Sequence, residues 1–216
     1  MDRLVCRRAG PARGGAPDSL VVLLHGYGAD GADLIDLAIP WGQAVPGACF
    51  LAPDAPDVCA IAPWGRQWFG LEDRDPARLA AEVGAVLPPF LAWIAREAAA
   101  LGLGAERVAL MGFSQGAMLA LAAGLAAAPP PACVLAYSGA LLRPPAPGRR
   151  QPPVLLVHGE EDEVVPAEAS RAAARLLAAA GLPVEAHIFP GLGHGIDEAG
   201  IALGAAFLAR HLPPRA

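Results

Sequence analysis

Six short apolar runs set the frame for this chain: residues 20–24, 49–52, 108–111, 133–137, 154–157 and 184–189. Uninterrupted apolar runs of this length suit strands buried on both faces of a parallel sheet, because crossover helices then cover both sides. Longer alanine- and leucine-rich segments separate the runs, and residues 78–100, 115–127, 167–180 and 197–211 read as helices. The alternation of strand and helix predicts an α/β chain with a mostly parallel central sheet, helices on both faces and right-handed crossovers.

One stretch could mislead. Residues 116–142 carry no charge and imitate a membrane span. Pro129, Pro130 and Pro131 divide it, so the expectation is a buried helix followed by a buried strand. With 216 residues the chain suits a single domain, 1–216. A net charge of −5 argues against nucleic acid or an anionic membrane surface as partner. Cys6, Cys49, Cys59 and Cys133 are scattered, without metal-ligand spacing or the density of a disulfide scaffold. No apolar stretch follows the charged residues at the N-terminus, so no signal peptide is expected. The expectation is a cytoplasmic protein without an integral membrane segment.

Gly112-Phe113-Ser114-Gln115-Gly116 lies between an apolar run and a helical segment. G-x-S-x-G between strand and helix is a nucleophile elbow: a sharp turn exposes the serine hydroxyl, and the glycines remove Cβ atoms that would clash. Ser114 is the candidate nucleophile. Acyl transfer also needs two N–H donors aimed at the developing oxyanion. Gln115, just after the nucleophile, is one candidate through its main chain, and Tyr27 in His25-Gly26-Tyr27-Gly28 is the other. Gly26, Gly28 and Gly31 also fit the dinucleotide pattern G-x-G-x-x-G, but no strand ending in an acid follows near position 50. Asp54, behind Pro53 in a proline-rich loop, makes a poor ribose ligand.

With an elbow serine, the triad runs Ser, then acid, then His. That order excludes His25, which reads as a hydrogen bonder fixing its loop, and excludes His158 as base. His187 falls within an apolar run and His211 near the C-terminus. His194, flanked by Gly193 and Gly195 just after an apolar run, is the candidate base. Four carboxylates, Glu160, Glu161, Asp162 and Glu163, follow the run 154–157. Asp162 is favoured as the one short, stiff side chain among them, although spacing alone does not rank the four. Residues 53–76 read as a long irregular loop at the carboxyl end of a strand, which puts Trp64, Trp68 and Phe69 beside the substrate.

The set LHGYGADG, PDAP, WF, GFSQG, HGEEDEVVP and GLGH resembles the phospholipase/carboxylesterase family, which includes the acyl-protein thioesterases, from about Leu20 to the C-terminus. The resemblance implies an α/β-hydrolase fold with little or no lid, and a serine carboxylesterase needing no cofactor and no metal. It implies Ser114, Asp162 and His194 as triad, Asp162 falling on the Asp of the HG-x-x-D-x-x-VP pattern, with Tyr27 and Gln115 as oxyanion donors. Substrates would be small-molecule carboxylic esters of short to medium chain, or thioesters and lysophospholipids as in some members. Dimers are common in the family, and a homodimer is left open here. The segment AIAPWGRQ ahead of Trp68 departs from the thioesterase members.

Overall fold

The computed structural model describes residues 4–73, 75–145 and 148–214. Along the chain run β1 (Cys6–Ala9), β2 (Ser19–Leu24), α1 (Ala32–Ile35), α2 (Ala38–Ala44), β3 (Ala48–Pro53), β4 (Asp57–Cys59), β5 (Ala62–Gln67), α3 (Pro76–Ala100), β6 (Val108–Phe113), α4 (Gln115–Ala126), β7 (Cys133–Tyr137), β8 (Val154–Gly159), α5 (Glu168–Ala179), β9 (Val184–Phe189) and α6 (Glu198–His211). The six apolar runs are strands β2, β3, β6, β7, β8 and β9 of one sheet, ordered β1-β3-β2-β6-β7-β8-β9. All neighbours pair in parallel except β1, which lies antiparallel on β3 at one edge.

Strand alternation sends successive side chains to opposite faces, and each face has its own core. Leu20, Val22, Leu24, Leu110, Val134 and Leu156 meet α3, α4 and α5 on one side. Val21, Leu23, Met111, Leu135 and Leu155 meet Trp41 of α2 and Phe207 and Leu208 of α6 on the other. The charge-free stretch resolves into α4, buried at every position from Gln115 to Leu125, and the fully buried strand β7.

Capping fixes where two helices begin. The Asp75 carboxylate accepts the N–H groups of Ala77 and Arg78, and Pro76 takes the first helical position, so α3 starts two residues before the predicted 78. Asp197 caps α6 by accepting the Gly200 N–H. By length and composition α3 is apolar enough to cross a membrane. Here its Val83, Leu87, Phe90, Trp93 and Ile94 form one helical stripe inside the first core.

Three features were not anticipated: β1, the short helices α1 and α2, and the antiparallel hairpin of β4 and β5. Residues 53–76 are therefore not simply an irregular loop, because the hairpin occupies their middle. Elements of three to seven residues span too few periods for an apolar pattern to emerge.

Candidate active site

Strand order reverses beside β2: β3 lies on one side of it and β6 on the other. Crevices at the carboxyl ends of such a pair are where open α/β sheets hold ligands. Leu24 pairs with Gly112, so the loops leaving β2 and β6 start side by side.

The turn after β6 is tightly built. A Cβ on Gly116 would overlap the carbonyl groups of Leu24 and His25, and one on Gly112 would overlap the Gly116 carbonyl. Ser114 between them has φ 55° and ψ −116°, a left-handed conformation costly for a side-chain-bearing residue. Neighbours hold it there. Its N–H donates to the Tyr137 carbonyl at 2.9 Å, and its own carbonyl accepts the Ala117 and Met118 N–H groups. Ser114 is 9% exposed. The Gln115 N–H, first in α4, has no intrahelical acceptor and points with the positive end of the helix.

The side chain of Gln115 is fully buried and tied to the segment after β5. Its Oε1 accepts the Trp68 N–H at 2.9 Å and its Nε2 donates to the Phe69 carbonyl at 2.7 Å. Trp68 and Phe69, expected beside the substrate, are instead buried in the first core. The physical reason is their apolar bulk next to α3: the Trp68 ring meets Phe90 edge-on at 5.8 Å, while its Nε1–H donates to the His25 carbonyl. Their backbone, not their rings, serves the elbow. Trp64 of β5 is 83% exposed, and Val58 of β4 and Ile61 of the turn joining the two strands are exposed as well.

The loop after β2 is braced from the same hairpin. Gly28 donates its N–H to the Arg66 carbonyl, and Arg66 donates its own to the Ala29 carbonyl, at 2.9 and 2.8 Å. The Arg66 guanidinium spans to the carbonyls of Ala55 and Pro56. Among the described residues the Tyr27 N–H has no acceptor. His25 donates Nδ1–H to the Gly26 carbonyl at 2.7 Å, and its Nε2 accepts the Ala55 N–H at 3.0 Å. Burial pushes the His25 imidazole below its ordinary value, which keeps it neutral in this role. Asp54 accepts from Gly31 N–H and the Arg7 guanidinium, and so closes this loop onto β1.

Across the crevice, Asp162 on the loop after β8 meets His194 on the loop after β9. Asp162 Oδ2 lies 2.7 Å from His194 Nδ1, and Oδ1 accepts the N–H groups of Val164 and Val165. Burial alone would raise the Asp162 carboxyl. The His194 hydrogen bond, the two backbone donors and the His194 charge outweigh it and hold the group below the ordinary carboxylate value. His194 is tied to the elbow through Phe113, the residue before Ser114, whose ring centroid lies 4.8 Å from the imidazole. With Nδ1–H given to Asp162, the Nε2 lone pair of His194 is free to take a proton.

The other candidates sit apart. Glu160, Glu161 and Glu163 are exposed. His187 lies on edge strand β9, and His211 at the end of α6 packs on Phe207. His158, excluded as base, touches Asp162: its Nε2 lies 3.1 Å from Oδ2. Chain order gave no sign of that contact; the four-residue spacing from His158 to Asp162 was the one available cue. Among the described residues no group of three or more His, Cys, Asp or Glu is placed to hold a metal ion. An apolar cavity of about 340 Å³ is lined by Leu91, Ile94, Leu103, Val108 and Pro131. It opens at the amino end of β6, away from the elbow, and is no part of this site.

Known proteins show the same arrangement of chain. The family described as Phospholipase/Carboxylesterase matches residues 12–212. The crystal structure of esterase PE8 superposes with a TM-score of 0.88 at 40% identity, over 97% of this chain and 100% of that one. That of SOBER1 from Arabidopsis thaliana does so at 0.78 and 27%, over 90% and 99%. Esterase YpfH of Escherichia coli (strain K12) is 31% identical over 111 residues, 47% of this chain and 44% of that protein, so the match spans less than half of that relative.

Proposed function

We propose, from the premise that this chain belongs to the phospholipase/carboxylesterase family of α/β-hydrolases, that it is a serine carboxylesterase acting through Ser114, His194 and Asp162. One observation carries the reading above the others: the 2.7 Å bond from His194 Nδ1 to buried Asp162, on two separate loops, with the His194 ring against Phe113 of the strained elbow. His194 Nε2 takes the Ser114 proton as the serine oxygen bonds to the ester carbonyl carbon. The oxyanion so formed is held by the N–H groups of Tyr27 and Gln115. Collapse breaks the bond to the alcohol, which leaves with the proton from His194. Water then enters by the same route, giving the carboxylic acid and restoring Ser114.

The substrate class is a carboxylic ester with a short to medium acyl chain. Supporting it are exposed Val58, Ile61 and Trp64 on the hairpin that braces the oxyanion loop, which present apolar side chains next to that loop for an acyl tail. Esterase PE8 and esterase YpfH bear the same activity in their names. Four unpaired thiols suit a reducing cytoplasm.

Replacement of Ser114 by Ala tests the reading on p-nitrophenyl butyrate. Turnover should fall by about six orders of magnitude if the three residues act as a unit. Retention of more than a few per cent of activity would refute it. An ester series from acetate to palmitate, run beside a palmitoyl thioester, reads chain length and leaving group: a preference for the long thioester would move the assignment to an acyl-thioesterase.

A further inference from the structure

Three N–H groups donate to the Asp162 carboxylate, and the His158 ring lies against it. Oδ1 accepts Val164 and Val165 at 2.9 and 2.8 Å. Oδ2 accepts His194 Nδ1 at 2.7 Å and also lies 3.1 Å from His158 Nε2. The side chains of His158 and Asp162 are both wholly shielded from solvent. His158 Nε2 sits 2.8 Å from the Val165 carbonyl as well. A carboxylate and a carbonyl can only accept, so the Nε2 hydrogen is obligatory. At the opposite edge of the ring, Nδ1 lies 2.7 Å from the Ser170 hydroxyl of α5, which can donate to it.

We propose that His158 is a positioning residue of the catalytic apparatus: clamped between Ser170 and the Val165 carbonyl, its Nε2–H edge lies 3.1 Å from Oδ2 of Asp162 beside His194 and thereby sets the orientation and basicity of the acid. This rests on the reading of Ser114, His194 and Asp162 as a triad.

Two consequences follow from the geometry. The carboxylate torsion of an aspartate is soft, and His194 alone would leave it free to swing. The two backbone donors on Oδ1 and the His158 ring packed beside Oδ2 lock it in the plane that His194 needs. The positive Nε2–H edge of His158, 3.1 Å from Oδ2, also draws on the charge of the oxygen facing His194. That weakens the hold of Asp162 on a His194 imidazolium in the resting enzyme and keeps the imidazole available as base. Other charged groups nearby are turned elsewhere. Glu160 pairs with Arg171 and Glu168 with Arg175 on the loop and α5. Glu161 and Glu163 are exposed, Asp197 caps α6, and on β9 Glu185 pairs with Arg210 while His187 sits on the same edge strand.

Three variants test this with p-nitrophenyl butyrate: His158→Leu, His158→Gln and Ser170→Ala. In His158→Leu, kcat should fall about tenfold with KM within about twofold, and the acid limb of kcat/KM should move up by about half a pH unit. The low-field proton resonance of the Asp162–His194 bond should shift as well. His158→Gln keeps an N–H edge beside Oδ2 and should recover most of kcat and return the acid limb towards wild type. Ser170→Ala removes the tether on Nδ1, lets the ring tilt away from Oδ2 and should move the limb the same way by less. An unmoved limb and resonance in folded His158→Leu overturn the proposal, as does a His158→Gln variant no better than the leucine one. Should His158→Leu not fold, an unmoved limb and resonance in Ser170→Ala overturn it alone. A wild-type protein that hydrolyses no ester defeats the triad reading instead, and the resonance still reports on His158.

Discussion

Replacing Gln115 by Leu isolates the bracket that joins the nucleophile helix to the segment after β5. The glutamine is fully buried, and so are both partners: Trp68 is 0% exposed and Phe69 2%. Leucine occupies similar volume but leaves the Trp68 N–H and the Phe69 carbonyl without partners where water does not reach. A buried backbone group stripped of its partner costs about 1–3 kcal/mol, so two cost about 2–6. The added apolar contact returns about 1–2 kcal/mol. Taken at the midpoints of those ranges, the expected net loss is about 2.5 kcal/mol, a large share of the stability of an ordinary domain. Urea titration followed by tryptophan fluorescence reads it, with the m-value held as the check on two-state behaviour.

Gln115→Glu gives a control of opposite logic. Its ionised form places an oxygen against the Phe69 carbonyl, whereas its protonated form can donate there and still accept from Trp68. Its folded-state pKa should therefore lie above the unfolded one. The protonated bracket's contribution is then complete below the unfolded value and lost as pH rises through the folded value. Measured against wild type at each pH, this variant should be less destabilised at about pH 5 than at about pH 8. A Gln115→Leu loss below about 1 kcal/mol, or a Gln115→Glu difference independent of pH, would refute the reasoning.

Other perturbations separate the remaining roles. Asp162→Asn should cut kcat on p-nitrophenyl butyrate by about four orders of magnitude, since the amide favours the wrong His194 tautomer. Trp64→Ala should leave the melting temperature unchanged and raise KM for octanoate esters more than for acetate. Trp68→Ala should cost about 3–5 kcal/mol in urea titration, because its ring fills the core. Burial holds His25 below its ordinary value, and burial followed by the Arg210 charge does so for His211. Each depressed histidine contributes stability that is whole above the unfolded value near 6.5 and shrinks as pH falls below it. Melting scans from about pH 7.5 to 5 should show that slope in wild type and a flatter one in a His25→Gln, His211→Gln double variant.

The sheet was legible because burial on both faces leaves runs such as residues 20–24 and 154–157 with no polar interruption, whatever they pack against. Ser114 was legible for a local reason: close approach of α4 to β2 demands glycine at 116 and its close approach to β6 demands glycine at 112, and five residues record it. Trp68 and Phe69 misled because an aromatic pair in a loop looks the same whether it faces solvent or core. Only the position of α3 decides which: Phe90, the ring that Trp68 meets, lies 22 residues further along the chain. The contacts of His158 with Asp162 and Ser170 depend on how the loop after β8 folds back over its own strand, and polar side chains in such a turn carry no period to read.

Rigidity is divided unevenly across this site, in a way that explains why its two halves are held so differently. Ser114 opens a helix packed against β2, β6 and β7 on one side and α3 on the other, so this elbow serine inherits its position from the core itself. Its strained backbone persists because β7 and α4 both bond to it. Asp162 and His194 hang on loops at the far side of the sheet, next to half-buried β9, where packing alone supplies less restraint. Hydrogen bonds take over there: three donors on one shielded carboxylate, with His158 packed against it and tied in turn to the Val165 carbonyl and α5. A core substitution beneath α4 should therefore lower stability before it alters the pH profile, whereas a polar substitution around Asp162 should alter the profile before it lowers stability. A series such as Leu119→Ala against Ser170→Ala, followed by urea titration and by the acid limb of kcat/KM, reads the two orders directly. Equal movement of both quantities in both variants would show that the two halves are not held separately.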